Sequence, residues 1–93
     1  MAIPAVFVFI QEGCGACHEY MPTFNYVAGP LRGRLPIGVY DIAKPDRRHQ
    51  RLAQSLGVNV TPTTVVMNSN GTLKKYEGAL GVTALRAALA AAT

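Results

Sequence analysis

The chain has no tryptophan, only two cysteines in 93 residues and no apolar run of membrane-spanning length. Each shortage excludes a class. Two cysteines are too few for a disulfide-rich scaffold, and Cys14 and Cys17 would close a loop too short to constrain much of the unfolded chain. The apolar opening, Met1 to Ile10, has no basic residue ahead of it, carries Pro4 and ends in Gln11-Glu12-Gly13 rather than in small residues. It reads as a strand, not as a leader, and falls far short of the ~20 residues that cross a bilayer. No membrane association is expected, and the cytoplasm is the expected location. Acids are scarce as well, with five Asp and Glu against nine Lys and Arg and a net charge of +4. Only Lys44, Arg47, Arg48 and Arg51 form a dense basic group, and no aromatic residue interleaves with it. Nucleic-acid binding is therefore not expected; an acidic protein partner is served equally by that charge.

With 49% hydrophobic and 15% charged residues, residues 1–93 are expected to form one compact monomeric domain that hides roughly 60 to 70% of its unfolded surface. Ile3 to Ile10 is continuously β-branched and aromatic apart from Pro4 and Ala5, the pattern of a central strand covered on both faces. After the Gly13 to Cys17 turn, Tyr20, Met21, Phe24, Val27 and Ala28 recur at helical spacing up to Gly29-Pro30, with Pro22 expected to kink the helix. Ile37 to Ile42 is a second strand. Because a helix separates the two, they are expected to be parallel. Pro45 and Asp46 open a second helix whose buried stripe is Leu52, Ala53 and Leu56, stopped by Gly57. Thr63 to Met67 and Thr72 to Glu77 read as a hairpin with Asn70-Gly71 as its turn signal, and Val82 to about Ala92 as a last helix. The order β-α-β-α-β-β-α predicts an α/β domain with a mixed four-stranded sheet flanked by helices.

Cys14-Gly15-Ala16-Cys17 lies where the central strand hands over to a helix. The Cys14 sulfur is thus placed at unpaired backbone N–H groups and the positive end of the helix dipole, which favours thiolate, the attacking form. Cys17 follows by almost one turn, so a small disulfide can open and close with little backbone movement. Three chemistries compete for the motif. A redox dithiol is favoured by the strand before it and the helix after it. Covalent haem attachment fits Cys14-Gly-Ala-Cys17-His18, but the chain carries at least four strand candidates and no export signal. Zinc would find only half of a tetrahedral site, since His18 is too close and His49 stands alone. No metal and no bound cofactor are expected. Thr61-Pro62, just ahead of Thr63 to Met67, is either an edge-strand device or a cis peptide that leaves the Thr61 backbone free to pair with an extended substrate segment.

With these residues assembled, the chain resembles the thioredoxin family over nearly its whole length. The resemblance rests on Val6 to Ile10, Cys14-Gly15-x-Cys17, Pro22 and Asp41 closing the next strand. It continues through Leu56-Gly57-Val58, Val60-Thr61-Pro62-Thr63, Asn70-Gly71 and Gly78-Ala79-Leu80. It implies a thiol–disulfide oxidoreductase that reduces protein disulfides, with Cys14 as nucleophile, Cys17 as resolving thiol and the Cys14–Cys17 disulfide as the oxidised state. Gly13, Gly15, Ala16, Thr61, Pro62, Gly78 and Ala79 would line the substrate groove, and a flavin- and NADPH-dependent reductase would return the electrons. A glutathione-linked, glutaredoxin-like role and a non-catalytic adaptor are the alternatives.

The chain departs from that family at identifiable positions. Gly13 stands where an aromatic is usual and Ala16 where proline is usual. Val8 replaces the buried acid, and the lysine that faces the acid from the next strand falls at Ile37. Both charges being gone together avoids a lone buried ion, and Glu12 or His18 becomes the candidate for moving the Cys17 proton.

Overall fold

The computed structural model describes residues 3–43 and 47–92. Along them run β1 (Ala5–Ile10), α1 (Gly15–Ala28), a 3-10 turn (Gly29–Leu31), β2 (Ile37–Asp41), α2 (Arg47–Ser55), β3 (Thr63–Met67), β4 (Leu73–Glu77) and α3 (Val82–Ala90). The order is the one expected from the sequence. Lys44, Pro45 and Asp46, the last two expected to open α2, lie outside the described residues.

The strands of the described residues form one mixed sheet in the order β2-β1-β3-β4. β1 is parallel to β2 and antiparallel to β3, and β3 and β4 form a hairpin. Its place between two neighbours explains the unbroken apolar run of β1, because successive side chains point to opposite faces and both faces are covered. Val6 and Val8 face a core made with Tyr20, Phe24, Val27 and Ala28 of α1 and Leu85, Ala88 and Leu89 of α3. Phe9 faces the other way, with Val65 of β3 and Ala53 of α2, while Leu52 and Leu56 pack at the margin. α1 and α3 thus share one face of the sheet and α2 covers the other. Tyr40 of β2 extends the second layer by stacking on Phe9 at 5.5 Å and meeting the His49 ring edge-on at 5.0 Å.

Three local expectations are refined. α1 continues as one helix through Pro22, whose side chain is exposed. The stretch after α1 is anchored by Leu35, which is 2% exposed and joins the first core. The β3–β4 connection, residues 68–72, carries the expected Asn70-Gly71 signal and closes around residues 69–71. Asn68 N–H donates to the Thr72 carbonyl at 3.1 Å, and Gly71 sits at φ +87° in the left-handed position that such loops require.

Candidate active site

The site is built at the carboxyl end of β1. There the chain turns through Gln11 to Gly13, and the Cys14 N–H donates to the Gln11 carbonyl at 3.1 Å. Gly13 adopts φ +85°, a conformation that carries a steric cost for any side chain with a Cβ. Beyond its two chain neighbours, no atom lies within 4 Å of where its Cβ would stand. Backbone conformation, not crowding, therefore accounts for glycine at the position where the family carries an aromatic.

Cys14 is the N-cap of α1, and its Sγ accepts a hydrogen bond from the Cys17 N–H at 3.1 Å. That N–H is one of the donors left unpaired at a helix start, and a bond to it favours a negative sulfur. Cys14 and Cys17 are joined as a disulfide, with Cα atoms 5.2 Å apart. Cys14 is half-buried, whereas Cys17 is 3% exposed. An incoming disulfide can reach the first sulfur far more readily than the second.

The second wall comes from the loop before β3. Thr61-Pro62 is a cis peptide bond, and the Thr61 carbonyl oxygen lies 3.7 Å from the Cys14 sulfur. In the disulfide that sulfur has no hydrogen to donate; in a thiol it would have one. The loop is tied from both sides. The Thr63 hydroxyl donates to the Val60 carbonyl at 2.6 Å, and the Gly78 N–H donates to the Pro62 carbonyl at 2.8 Å. The latter bond brings Gly78 beside Pro62, and Ala79 follows with its side chain exposed. Gly13, Gly15 and Ala16 are exposed at the helix start, and Val60 is exposed at 45%. The residues expected around the disulfide thus leave small, uncharged surface there.

On the other side of the disulfide is a cavity of about 300 Å³ lined by Ile10, Gln11, Glu12, Gly13, Cys14, Cys17, His18, Met21 and Asp41. It contains both proton-transfer candidates, Glu12 and His18, whose side chains are exposed. It also contains Asp41, which had drawn notice only as the residue closing a strand. What brings Asp41 here is the parallel register that pairs it with Ile10, and no local pattern announces that pairing. In the same register Val39 stands directly across from Val8, while Ile37, the position where the family's lysine falls, pairs with Val6. The absence of a charged pair at Val8 is unchanged, since all of these residues are apolar.

Among the described residues no group of three or more His, Cys, Asp and Glu is placed to hold a metal ion. Of the basic group, Arg47, Arg48 and Arg51 lie among the described residues and are exposed on α2.

A family model described as the thioredoxin-like domain matches residues 3–93. The chain is 30% identical over 70 residues to the DnaJ homolog subfamily C member 10 of Xenopus laevis, covering 75% of this chain. It spans only 8% of the length of that relative. Among solved structures, the J-Trx1 fragment of ERdj5 superimposes with a TM-score of 0.73 at 29% identity, over 91% of this chain and 40% of that one. The thioredoxin of Fasciola hepatica gives a TM-score of 0.78 at 20% identity, over 98% of this chain and 82% of that one. Thioredoxin f from spinach chloroplast, in its short form, gives 0.74 at 24% identity, over 98% and 78% respectively. The last two likenesses establish the fold.

Proposed function

Because the chain belongs to the thioredoxin-like domain family, and its close cysteine pair suits thiol–disulfide redox chemistry, we propose that it reduces protein disulfides through a Cys14/Cys17 cycle. The observation that carries this reading is the asymmetry of the pair: Cys14 caps the helix with its sulfur on the Cys17 N–H, while Cys17 is buried beneath it. In the cycle, the Cys14 thiolate attacks a substrate disulfide and releases one substrate sulfur. Cys17 then attacks the mixed disulfide, releases the second and leaves Cys14–Cys17 oxidised.

The exposed surface of Gly13, Gly15 and Ala16, with Thr61, cis-Pro62, Gly78 and Ala79 on the facing loops, would hold an extended substrate segment. The Thr61 backbone would pair with it as an added strand. The domain would work as a monomer in the cytoplasm on disulfide-containing proteins, with a flavin- and NADPH-dependent reductase restoring the dithiol. No bound cofactor is needed, as the electrons reside on the two sulfurs.

Insulin reduction, combined with the reduction potential from glutathione and dithiothreitol equilibration, tests the reading. Activity should be lost in Cys14→Ser, and the potential should lie near ~−270 mV, the value of a reductant of this class. A potential near ~−120 mV marks an oxidant instead. Partner binding without any reductase activity would favour an adaptor.

A further inference from the structure

The resolving step sets a problem that the Cys14 environment does not solve. Cys17 is 3% exposed, and its thiol must lose a proton before it can attack the mixed disulfide on Cys14. Burial opposes that ionisation. Its own backbone N–H is directed at the Cys14 sulfur, not at its own. Val8, buried on the same side of the sheet, offers no acceptor.

The titratable groups facing the space beside Cys17 come from three elements. The β1–α1 turn supplies Glu12, α1 supplies Cys14 and His18, and β2 supplies Asp41. His49 of α2 is not in that lining; its Nδ1 lies 3.4 Å from the Asp41 backbone carbonyl and its ring meets Tyr40 edge-on, on the other face of the sheet. Lys44 and Asp46 fall outside the described residues. Glu12 and His18 are exposed and would have to order a solvated side chain to serve. Asp41 is only partly exposed, and its position is fixed twice over. Its backbone is held opposite Ile10, and its Oδ1 accepts the Ala43 N–H at 2.9 Å. One carboxylate oxygen is thus committed to the turn, and Oδ2 remains as a further acceptor on a residue that lines the cavity.

We propose that Asp41, through the cavity it shares with Cys17, receives the proton of the Cys17 thiol as the mixed disulfide is resolved. This deepens the redox reading and rests on it. A water molecule would span the gap: the cavity of about 300 Å³ has room for one, and Glu12, His18 and Asp41 in its lining offer polar partners. In the step, the Cys17 sulfur forms a bond to Cys14 Sγ and the Cys14–substrate S–S bond breaks. The electron pair of that bond leaves with the substrate sulfur. The Cys17 proton passes through water to the Asp41 carboxylate and on to solvent.

Stopped-flow reaction of the reduced protein with an aromatic disulfide, 5,5′-dithiobis(2-nitrobenzoate), separates the two steps as two releases of coloured thiolate. The first reports Cys14 and the second Cys17. Asp41→Asn retains an Oδ1 that can accept the Ala43 N–H, so the turn is preserved while the proton acceptor is lost. In that variant the second phase should slow at least about tenfold at pH 7, less than the full 10²–10⁴ of a positioned acid–base group because water remains as an acceptor. The deficit should shrink as pH rises and hydroxide takes over, the first phase should move by less than about twofold, and Asp41→Glu should recover part of the rate. A second phase that keeps its rate and pH profile in Asp41→Asn overturns the assignment. So does a slowing that follows Glu12→Gln or His18→Gln instead. If the unaltered protein releases no second equivalent, the redox reading fails and this assignment falls with it.

Discussion

The Tyr20 phenol and the Thr64 hydroxyl share a hydrogen bond of 2.8 Å in the core, Tyr20 from α1 and Thr64 from the centre of the sheet. Both are essentially inaccessible, at 2% and 0% exposure. Each is the partner the other needs, because a buried hydroxyl without one costs about 1 to 3 kcal/mol.

Tyr20→Phe should therefore destabilise the domain by about that amount, while Tyr20→Phe with Thr64→Val should cost less than the two single changes added together. Burial raises the Tyr20 pKa, only partly countered by the bond to Thr64. The neutral phenol is then favoured in the fold relative to the unfolded chain. That contribution is fully present below the ordinary tyrosine value near 10 and is lost as pH climbs from there through the raised folded value. Melting temperatures taken across alkaline pH should fall less steeply in Tyr20→Phe than in the unaltered protein.

Val8 is opposite Val39 on one side and Thr64 on the other, with 0% exposure. Val8→Asp places a carboxylate there without a cation and should cost roughly 3 to 5 kcal/mol, the range for an uncompensated buried charge. Adding Val39→Lys should recover part of that loss, since Val39 is Val8's cross-strand neighbour. Ile37→Lys should recover less, since it sits across from Val6. Urea unfolding of the three variants checks the order, and equal recovery would argue against the β1–β2 register.

At Gly13, open space surrounds the Cβ position but φ is +85°. Gly13→Ala should lose about 1 kcal/mol from backbone strain alone. Gly13→Asn should lose less, because asparagine tolerates left-handed backbone better. Denaturant midpoints at equal m-values distinguish the two.

How much of this was legible in the sequence depends on the range of the interaction. The cysteine pair, the strand before it, Thr61-Pro62 and Asn70-Gly71 are marked by residue types whose chemistry acts over a few positions, so element order and the place of the site could be read directly. Asp41 in the cavity and Val39 across from Val8 depend on how two strands slide past each other. Alternation in β2 is weak, with no residue of the strand fully buried, so the sequence offered little to specify that register. The Tyr20–Thr64 bond was illegible for a similar reason. It joins residues 44 apart, and neither hydroxyl differs in the sequence from a solvated one.

The antiparallel pairing that sets Phe9 opposite Thr63 makes Cys14 a neighbour of Thr61 across 47 residues of chain. The cysteines carry their spacing even in an unfolded chain, but the wall that faces them does not. A fragment ending before β3 would keep a thiol pair that oxidises readily and would lack the surface that chooses what it reacts with. Selectivity here is thus a property of the assembled sheet, and damage anywhere along β1 or β3 should register first as indiscriminate thiol chemistry rather than as silence.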